Sequence, residues 1–247
     1  TVNATTAGNV VIQTLGAGVN LGGSDSSSNL GLTSAEINNI TAGTLIIGNG
    51  TTGAIVNSNA IRRTNTTLGV NLTLISGNTI TQSGAGNLFV ADIANFVSTG
   101  AGTNGNITLA NVINDFFSTG SIHACGTNVT IVNSNGTRLG RVNSSSLTVT
   151  SNGGNISQAT GTNITVSGTA NFIATGNQVL LTNQTNSFGC LIINSADINL
   201  VTNGTLTLNS INTTNLTVTG NGSLAQTPGS NLIVAGTSNL SVGGNIS

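Results

Sequence analysis

The sequence predicts an all-β protein built as a parallel β-helix, a solenoid with about 18–19 residues in each coil. Three observations predict it: long phrases recur along the chain, apolar and polar residues alternate within each phrase, and Asn-Gly or Gly-Gly pairs follow as turns. We find no helical periodicity, and the 34 glycines disfavour helices.

The longest recurring phrase, ITQSGAGNLFVADIANFVSTG, sets the long repeat. It and its two relatives stand at residues 80–100, 156–176 and 224–244. The period is about 70 to 76 residues. We expect residues 1–247 to form one continuous array that is itself a segment of a longer chain. The predicted long repeats are roughly 76–151, 152–220 and, in part, 221–247.

The long repeat aligns aromatic residues, because Phe96 matches Phe172 and Phe116 matches Phe188. Such recurrence predicts a periodic core, whereas Phe117, next to Phe116, must face elsewhere and is expected at the surface.

A shorter unit, Asn–apolar–Thr–apolar, recurs inside each long repeat at steps of about 18 residues. Hairpins would alternate in direction, so one motif would not meet the same neighbours each time. A parallel β-helix stacks like on like at about 4.8 Å, which predicts ladders of Asn and Thr outside an aliphatic core. About 13 coils are expected. Right-handed winding is expected because the strict six-residue repeat of left-handed helices is missing.

Charge is almost absent: charged residues make up 4% of the chain and the net charge is -1. Four arginines cannot form the basic stripe that nucleic-acid binding requires. The acidic residues are too dispersed for acid–base catalysis. No apolar run is long enough for a membrane helix. We therefore expect no enzyme, no cofactor, no nucleic-acid partner and no membrane insertion by this segment.

Several phrases have a family resemblance: GLTSAEINNITAGTLIIGNG (31–50), NITLANVINDFFSTGSI (106–122) and SLTVTSNGGNISQ (146–158). They resemble the repeat regions of filamentous-haemagglutinin-like exoproteins, which are large bacterial surface proteins typically exported by two-partner secretion. The resemblance covers nearly all of residues 29–247 and implies a right-handed β-helical shaft at the cell surface, serving adhesion, biofilm or filament formation. The secretion domain of that family is not visible in this sequence.

Asn-x-Ser/Thr sequons are frequent, and in the pattern Asn–apolar–Thr both polar residues point outward from a strand. Alternation itself produces such sequons, so their number alone does not establish glycosylation. The candidate glycosylation sites are Asn39, Asn49, Asn65, Asn71, Asn106, Asn128, Asn135, Asn143, Asn155, Asn163, Asn183, Asn203, Asn212, Asn215, Asn221 and Asn239.

Cysteine and histidine are the residues that raise the question of a metal. His123 is expected to point outward, and two ligands, His123 and Cys125, cannot close a zinc site. Cys125 and Cys190 are about three and a half coils apart, beyond the reach of a disulfide within the chain. A disulfide between neighbouring molecules remains open for both.

The arginines could bind sulfated sugars or carboxylates, but we expect Arg62, Arg63, Arg138 and Arg141 to be solvated turn residues. Asp92 and Asp115 are expected on different coils and without basic residues beside them, so we do not expect a catalytic pair.

Two functions remain from these observations. The first is the structural shaft of a secreted, cell-surface fibrous adhesin or extracellular filament, which self-associates or continues end to end and meets a host-cell, matrix or neighbouring-cell surface. The alternative is an ice-binding or carbohydrate-binding module that uses an outward Thr/Asn ladder.

Overall fold

The computed structural model describes residues 2–67, 69–117 and 119–247. It is all-β, with 59% of residues in strands and 3% in helices. Every pair of named strands is parallel, which excludes the hairpin arrangement and is consistent with a β-solenoid. No described helix combines the length and apolar character needed to cross a membrane.

The longest strands, β15, β16, β18 and β19, lie between residues 121 and 202, and the strands before and after them are shorter. In chain order the elements are β1 (Val2–Asn3), β2 (Asn9–Ile12), β3 (Gly18–Leu21), β4 (Asn29–Leu32), α1 (Ser34–Asn38), β5 (Ile40–Thr41), β6 (Thr44–Gly48), β7 (Ile55–Asn57), β8 (Ile61–Arg63), β9 (Asn71–Ser76), β10 (Ile80–Gln82), β11 (Leu88–Val90), β12 (Ile93–Ser98), a 3-10 helix (Gly102–Gly105), β13 (Ile107–Leu109), β14 (Asp115–Phe116), β15 (Ser121–Asn133), β16 (Thr137–Ser151), β17 (Ile156–Gln158), β18 (Ile164–Leu181), β19 (Ser187–Thr202), β20 (Leu206–Thr213), β21 (Asn215–Gly220), β22 (Leu224–Gln226), β23 (Leu232–Val234) and β24 (Ser238–Val242).

Strands stack in register, and we call residues that pair across successive strands a column. Strands β2, β6, β9, β12 and the start of β15 form the first face, where one inward column is Val10, Leu45, Leu72, Ala94 and Ile122. Strands β3, β7, β10, β13 and the second half of β15 begin the second face. Strands β8, β11 and β14 form a separate three-stranded third face.

One apolar core runs through the stack, from Val19 to Leu224, because alternate residues of each strand point inward. The predicted core aromatics are confirmed. Phe96 meets Phe116 edge to face with ring centroids 5.7 Å apart, and Phe172 meets Phe188 in the same way at 6.0 Å. Phe117 lies at the surface, as expected.

Neutral side chains form hydrogen-bonded ladders on the outside, as the sequence predicts. Asn128 Nδ2 donates to Asn106 Oδ1 at 2.9 Å, and Ser146 Oγ donates to Asn128 Oδ1 at 2.7 Å. Asn221 and Asn203 form a similar pair. Each ladder satisfies polar groups along the stack without placing like charges on neighbouring strands.

Two Gln–Asn pairs, each with a buried asparagine and a half-buried glutamine, recur at equivalent places in the long repeat. Asn114 is fully buried; its amide exchanges two hydrogen bonds with Gln82 and accepts from the Leu88 N–H. Asn186 makes the same contacts with Gln158 and the Ile164 N–H. These amides complete backbone bonding where the chain turns inside the core.

The third face ends where a side chain replaces a strand. Asn133 Oδ1 accepts from the Phe116 N–H at 3.0 Å, and Asn133 Nδ2 donates to the Phe116 carbonyl at 3.1 Å. The carboxamide thus satisfies both backbone groups that the next strand would have taken.

A short helix that the sequence analysis did not predict lies before β5. Thr33 Oγ1 accepts from the Glu36 N–H, and the Glu36 carboxylate accepts from the Thr33 N–H, so the two residues form a capping box. The helix buries Ile37 against the core.

A candidate ligand groove on the first face

A groove of about 650 Å³ opens on the outward side of the first face. It runs across β6, β9, β12, β15 and β16. Its lining residues are Thr44, Asn71, Thr73, Ile93, Asn95, Val97, His123, Ala124, Cys125, Arg141 and Asn143.

Strand alternation places these side chains on one surface. Thr73, Asn95 and His123 pair in one outward column of β9, β12 and β15. Val97 and Cys125 pair in the next outward column. These residues are far apart in sequence, and the register of three parallel strands brings them together.

A β-bulge shapes one end of the groove. Ile122 pairs with Leu139 and Ala124 pairs with Val142, so β16 carries one more residue than β15 at this point. The extra length lies at Gly140 and Arg141, opposite His123. A bulge of this kind bends the strand and redirects the side chains beside it.

The His123 ring is held on both nitrogens. Its Nδ1 accepts from the Arg141 backbone N–H at 3.1 Å, which leaves the ring proton on Nε2. The Nε2–H then donates to Ser121 Oγ, 3.0 Å away. A Cβ on Gly140 would lie only 2.4 Å from His123 Nε2, so glycine allows the ring to pack on the bulge.

The electrostatics of this corner favour a neutral imidazole beside a cation. Burial lowers the pKa of His123, and the nearby charge of Arg141 lowers that pKa further. None of the lining residues is acidic. The groove therefore presents a positive charge that no carboxylate within its own lining neutralises.

Polar side chains in the groove differ from those of the ladders. The side chains of Thr73, Asn95 and Asn143 form no hydrogen bond to any other described residue, although each pairs with at least one polar neighbour. Asn71 does have a bond, since its Oδ1 accepts from the Ile93 N–H at 2.9 Å. The first three therefore offer donors and acceptors to solvent or to a ligand.

The two cysteines lie in different columns of the stack, and neither forms a disulfide within the chain. Cys125 is exposed and lines the groove beside His123. Cys190 is half-buried and pairs with Thr169 of β18. Among the described residues, no group of three or more His, Cys, Asp or Glu could hold a metal ion.

The prediction that the four arginines are turn residues is wrong, because Arg62 and Arg63 lie on β8 and Arg138 and Arg141 on β16. Arg63 is not solvated either, since it is 1% exposed at the end of β8. Its guanidinium donates to the carbonyls of Ile40 and Ala42 at 3.1 and 2.8 Å, which offsets burial of the charge. Burial also lowers the pKa of Arg63. Arg62 is exposed and stacks on the Phe89 ring, 3.8 Å from its centroid.

Other predicted residues lie outside the groove. Asp115 pairs with Phe89 on the third face, whereas Asp92 lies in the turn before β12. Arg138 of β16 pairs with Ser157 of β17. The structure thus does not bring these residues together as one site.

All the candidate sequon asparagines are exposed or half-buried, so their side chains reach the surface. Glycosylation itself stays a prediction. The Nδ2 atom that would carry the sugar already donates within the chain in Asn128, Asn163, Asn183, Asn212, Asn215 and Asn221.

A threonine column occupies the second face. Its members, on consecutive strands, are Thr81, Thr108, Thr130 and Thr148. Val56 precedes the column and Asn171 follows it, so the run is limited to these four strands.

Comparison with known proteins gives one match. The model of a family described as Repeats of unknown function (DUF5649) matches residues 50–123, 126–193 and 195–247. The three matches begin 76 and then 69 residues apart, in keeping with a repeat protein. No curated protein and no solved structure matches the chain.

Proposed function

The chain belongs to this family of repeats of unknown function, and we propose that it is the structural shaft of a secreted, cell-surface fibrous adhesin or extracellular filament. In this proposal the stack is a right-handed β-helix, as in the filamentous-haemagglutinin-like repeats that the sequence resembles. The expected coil of about 18–19 residues, and with it the expected count of about 13 coils, does not fit the register, in which Val129, Leu147, Ala170 and Leu191 pair in succession at steps of 18, 23 and 21 residues. The shaft works by length, stiffness and a repeated surface, without catalysis.

The observation that carries the proposal is the unbroken parallel register over one core. Each strand from β6 to β19 has a parallel neighbour, and one cluster of buried side chains follows the whole stack. In such an array each repeat contacts only its neighbours, so length grows with repeat number while the cross-section stays constant.

The outer ladders support an extracellular, repetitive role. Asn, Ser and Thr ladders are uncharged, so stacking many copies adds no repulsion between neighbouring strands. They also leave a long polar surface for contact with other molecules of the same kind or with another cell.

The length claim is tested by duplicating residues 126–193, one family match, in the middle of the whole chain. We expect the maximum dimension from small-angle X-ray scattering to grow by about 16 Å, because the register from Thr130 through Thr148 and Asn171 to Ile192 makes the insert slightly more than three coils, each rising about 4.8 Å. The matched control is the same chain carrying an unstructured Gly/Ser insert of equal length. An unchanged maximum dimension, with folding intact by circular dichroism, would refute the shaft.

Location is tested separately on intact cells of the native source. Antibodies against this segment should label material outside the cell, and brief protease treatment of intact cells should remove the label. Label confined to the cell interior would contradict the extracellular role while leaving the length result standing.

A second candidate is ice binding, which the threonine column of the second face favours. Regularly spaced hydroxyl and methyl groups can order water when they form a flat, extended array. The test is thermal hysteresis of the purified chain and of Thr108→Tyr, with Thr217→Tyr on another surface as control. Absence of hysteresis in the unmodified chain refutes this candidate.

A further inference from the structure

The groove of the first face is built from groups that the stack itself does not use. Elsewhere Asn side chains pair along columns, as Asn106 does with Asn128. In the groove the Thr73, Asn95 and Asn143 side chains have no partner among the described residues, because the columns that contain them mix residue types. Hydrogen-bonding groups placed together without mutual bonds are suited to a polar ligand.

Arg141 lies at the end of the groove because of the bulge. Gly140 gives the His123 ring space, and His123 Nδ1 holds the Arg141 backbone N–H at 3.1 Å. The backbone that carries the arginine is thus held by the His123 ring. An arginine presented in this way suits a planar anion that accepts two parallel hydrogen bonds, such as a carboxylate.

The groove also has an apolar strip. Ile93 and Val97 project from β12 on either side of Asn95, and Ile93 is 41% exposed. A concavity of about 650 Å³ lies in the size range of sites for small organic ligands. Saccharides combine hydroxyl groups with apolar C–H faces, so amides beside aliphatic side chains match both parts of a sugar ring.

We propose that this groove binds a saccharide that carries a carboxylate. Arg141 pairs with the carboxylate, the Asn95 and Asn143 amides with Thr73 take hydroxyl groups, and Ile93 with Val97 contacts the ring. The site is independent of the shaft proposal, since it depends on one bulge rather than on the length of the array.

Cys125 makes the test direct, because it lines the groove while Cys190 lies in another column. Iodoacetamide modifies both thiols of the whole chain, and mass spectrometry follows each site separately. The acidic probes are digalacturonate and 3′-sialyllactose; the neutral controls are digalacturonate dimethyl ester and lactose, and acetate serves as a bare carboxylate. We expect at least one acidic saccharide to slow modification of Cys125 without slowing Cys190.

Charge-matched variants give the second arm. Arg141→Gln should weaken the protection by at least about tenfold, since hydrogen bonds between charged partners contribute about 1.5–3 kcal/mol. Arg138→Gln removes the same charge from β16 outside the groove and should leave the protection unchanged. Asn95→Ala should weaken it by about threefold or more. Circular dichroism confirms that each variant folds.

Four outcomes would overturn the proposal. They are no protection by either acidic saccharide, equal protection by the ester or lactose, equal protection by acetate at the same concentration, and equal loss in Arg138→Gln and Arg141→Gln. The last would show that the net charge of the chain, rather than the groove, attracts the probe.

Discussion

Replacing the buried Asn186 with Ala tests whether the Gln–Asn pairs hold the stack together. The Asn186 amide exchanges two hydrogen bonds with Gln158, at 2.7 and 2.8 Å. It also accepts from the Ile164 N–H at 3.0 Å and approaches the carbonyls of Leu181 and Val201 at 3.4 Å. All of these contacts are lost with the side chain.

The expected cost follows from what is left unsatisfied. The Ile164 N–H loses its acceptor in the core, and a buried unsatisfied polar group costs about 1–3 kcal/mol. The half-buried Gln158 amide loses two hydrogen bonds but keeps those to the Thr162 carbonyl and the Asn183 N–H. The two carbonyl contacts are long and add little. Asn186→Ala should therefore lower the free energy of unfolding by about 2–4 kcal/mol. In the double variant with Gln158→Ala the losses should not add, since both remove the same bonds, and the coupling should be about 1–3 kcal/mol.

The assay is urea denaturation followed by far-ultraviolet circular dichroism, because the chain has no Trp or Tyr for fluorescence. Hydrogen exchange gives the local readout, since the Ile164 amide should exchange faster in Asn186→Ala. The control is Asn199→Ala, an exposed residue of β19 whose change should stay within about 0.5 kcal/mol. The reasoning fails if Asn186→Ala and Asn199→Ala cost the same, or if the Ile164 amide keeps its protection.

Three further predictions concern His123, Gly140 and the core aromatics. The pKa of His123 is lower in the folded chain than in the unfolded chain, so the unfolded chain binds the proton more readily. The stabilisation that neutral His123 contributes to the fold is therefore complete above about pH 6.5, and it declines as the pH falls toward the lowered pKa. Urea midpoints from pH 7.5 to 5.5 should show this decline in the unmodified chain but not in His123→Gln, and parallel curves would contradict it. Gly140→Ala should displace the imidazole of His123, because the added Cβ would lie too close to its ring. The nuclear magnetic resonance chemical shifts of the single histidine would report this displacement, and unchanged shifts would contradict the prediction. Phe172→Ala should cost about 3–5 kcal/mol in urea denaturation because it leaves a cavity, and Phe117→Ala less than about 0.5 kcal/mol; similar losses would argue against the assigned core.

The parallel β architecture could be predicted from the sequence because its signals are local. Alternation such as Leu72–Thr73–Leu74 fixes which residues point inward within a single strand. The helix α1 was missed because five residues show no periodicity, although Thr33 and Glu36 have the spacing of a capping box. Arg63 was placed wrongly although the sequence held the signal. It stands two residues after the buried Ile61, so strand alternation puts it on the inward side of β8.

The groove could not be predicted, since it depends on contacts between strands rather than within one. Thr73, Asn95 and His123 form a column only because loops of unequal length bring β9, β12 and β15 into register. The bulge at Gly140 depends on a pairing offset that no local pattern encodes. The outward direction of His123 was expected from alternation, but its partners on the neighbouring strands were not.

The Gln–Asn pairs have a consequence for how such a protein can evolve. Gln82 and Asn114 are separated by 32 residues and Gln158 and Asn186 by 28, yet both pairs make the same contacts. Loops between the partners can therefore gain or lose residues without disturbing the pair. A recombination break between the two partners is different, because it leaves the buried asparagine amide in one product without its glutamine. Duplications and deletions that keep both partners together are favoured, so breakpoints are expected outside the segment between each glutamine and its asparagine.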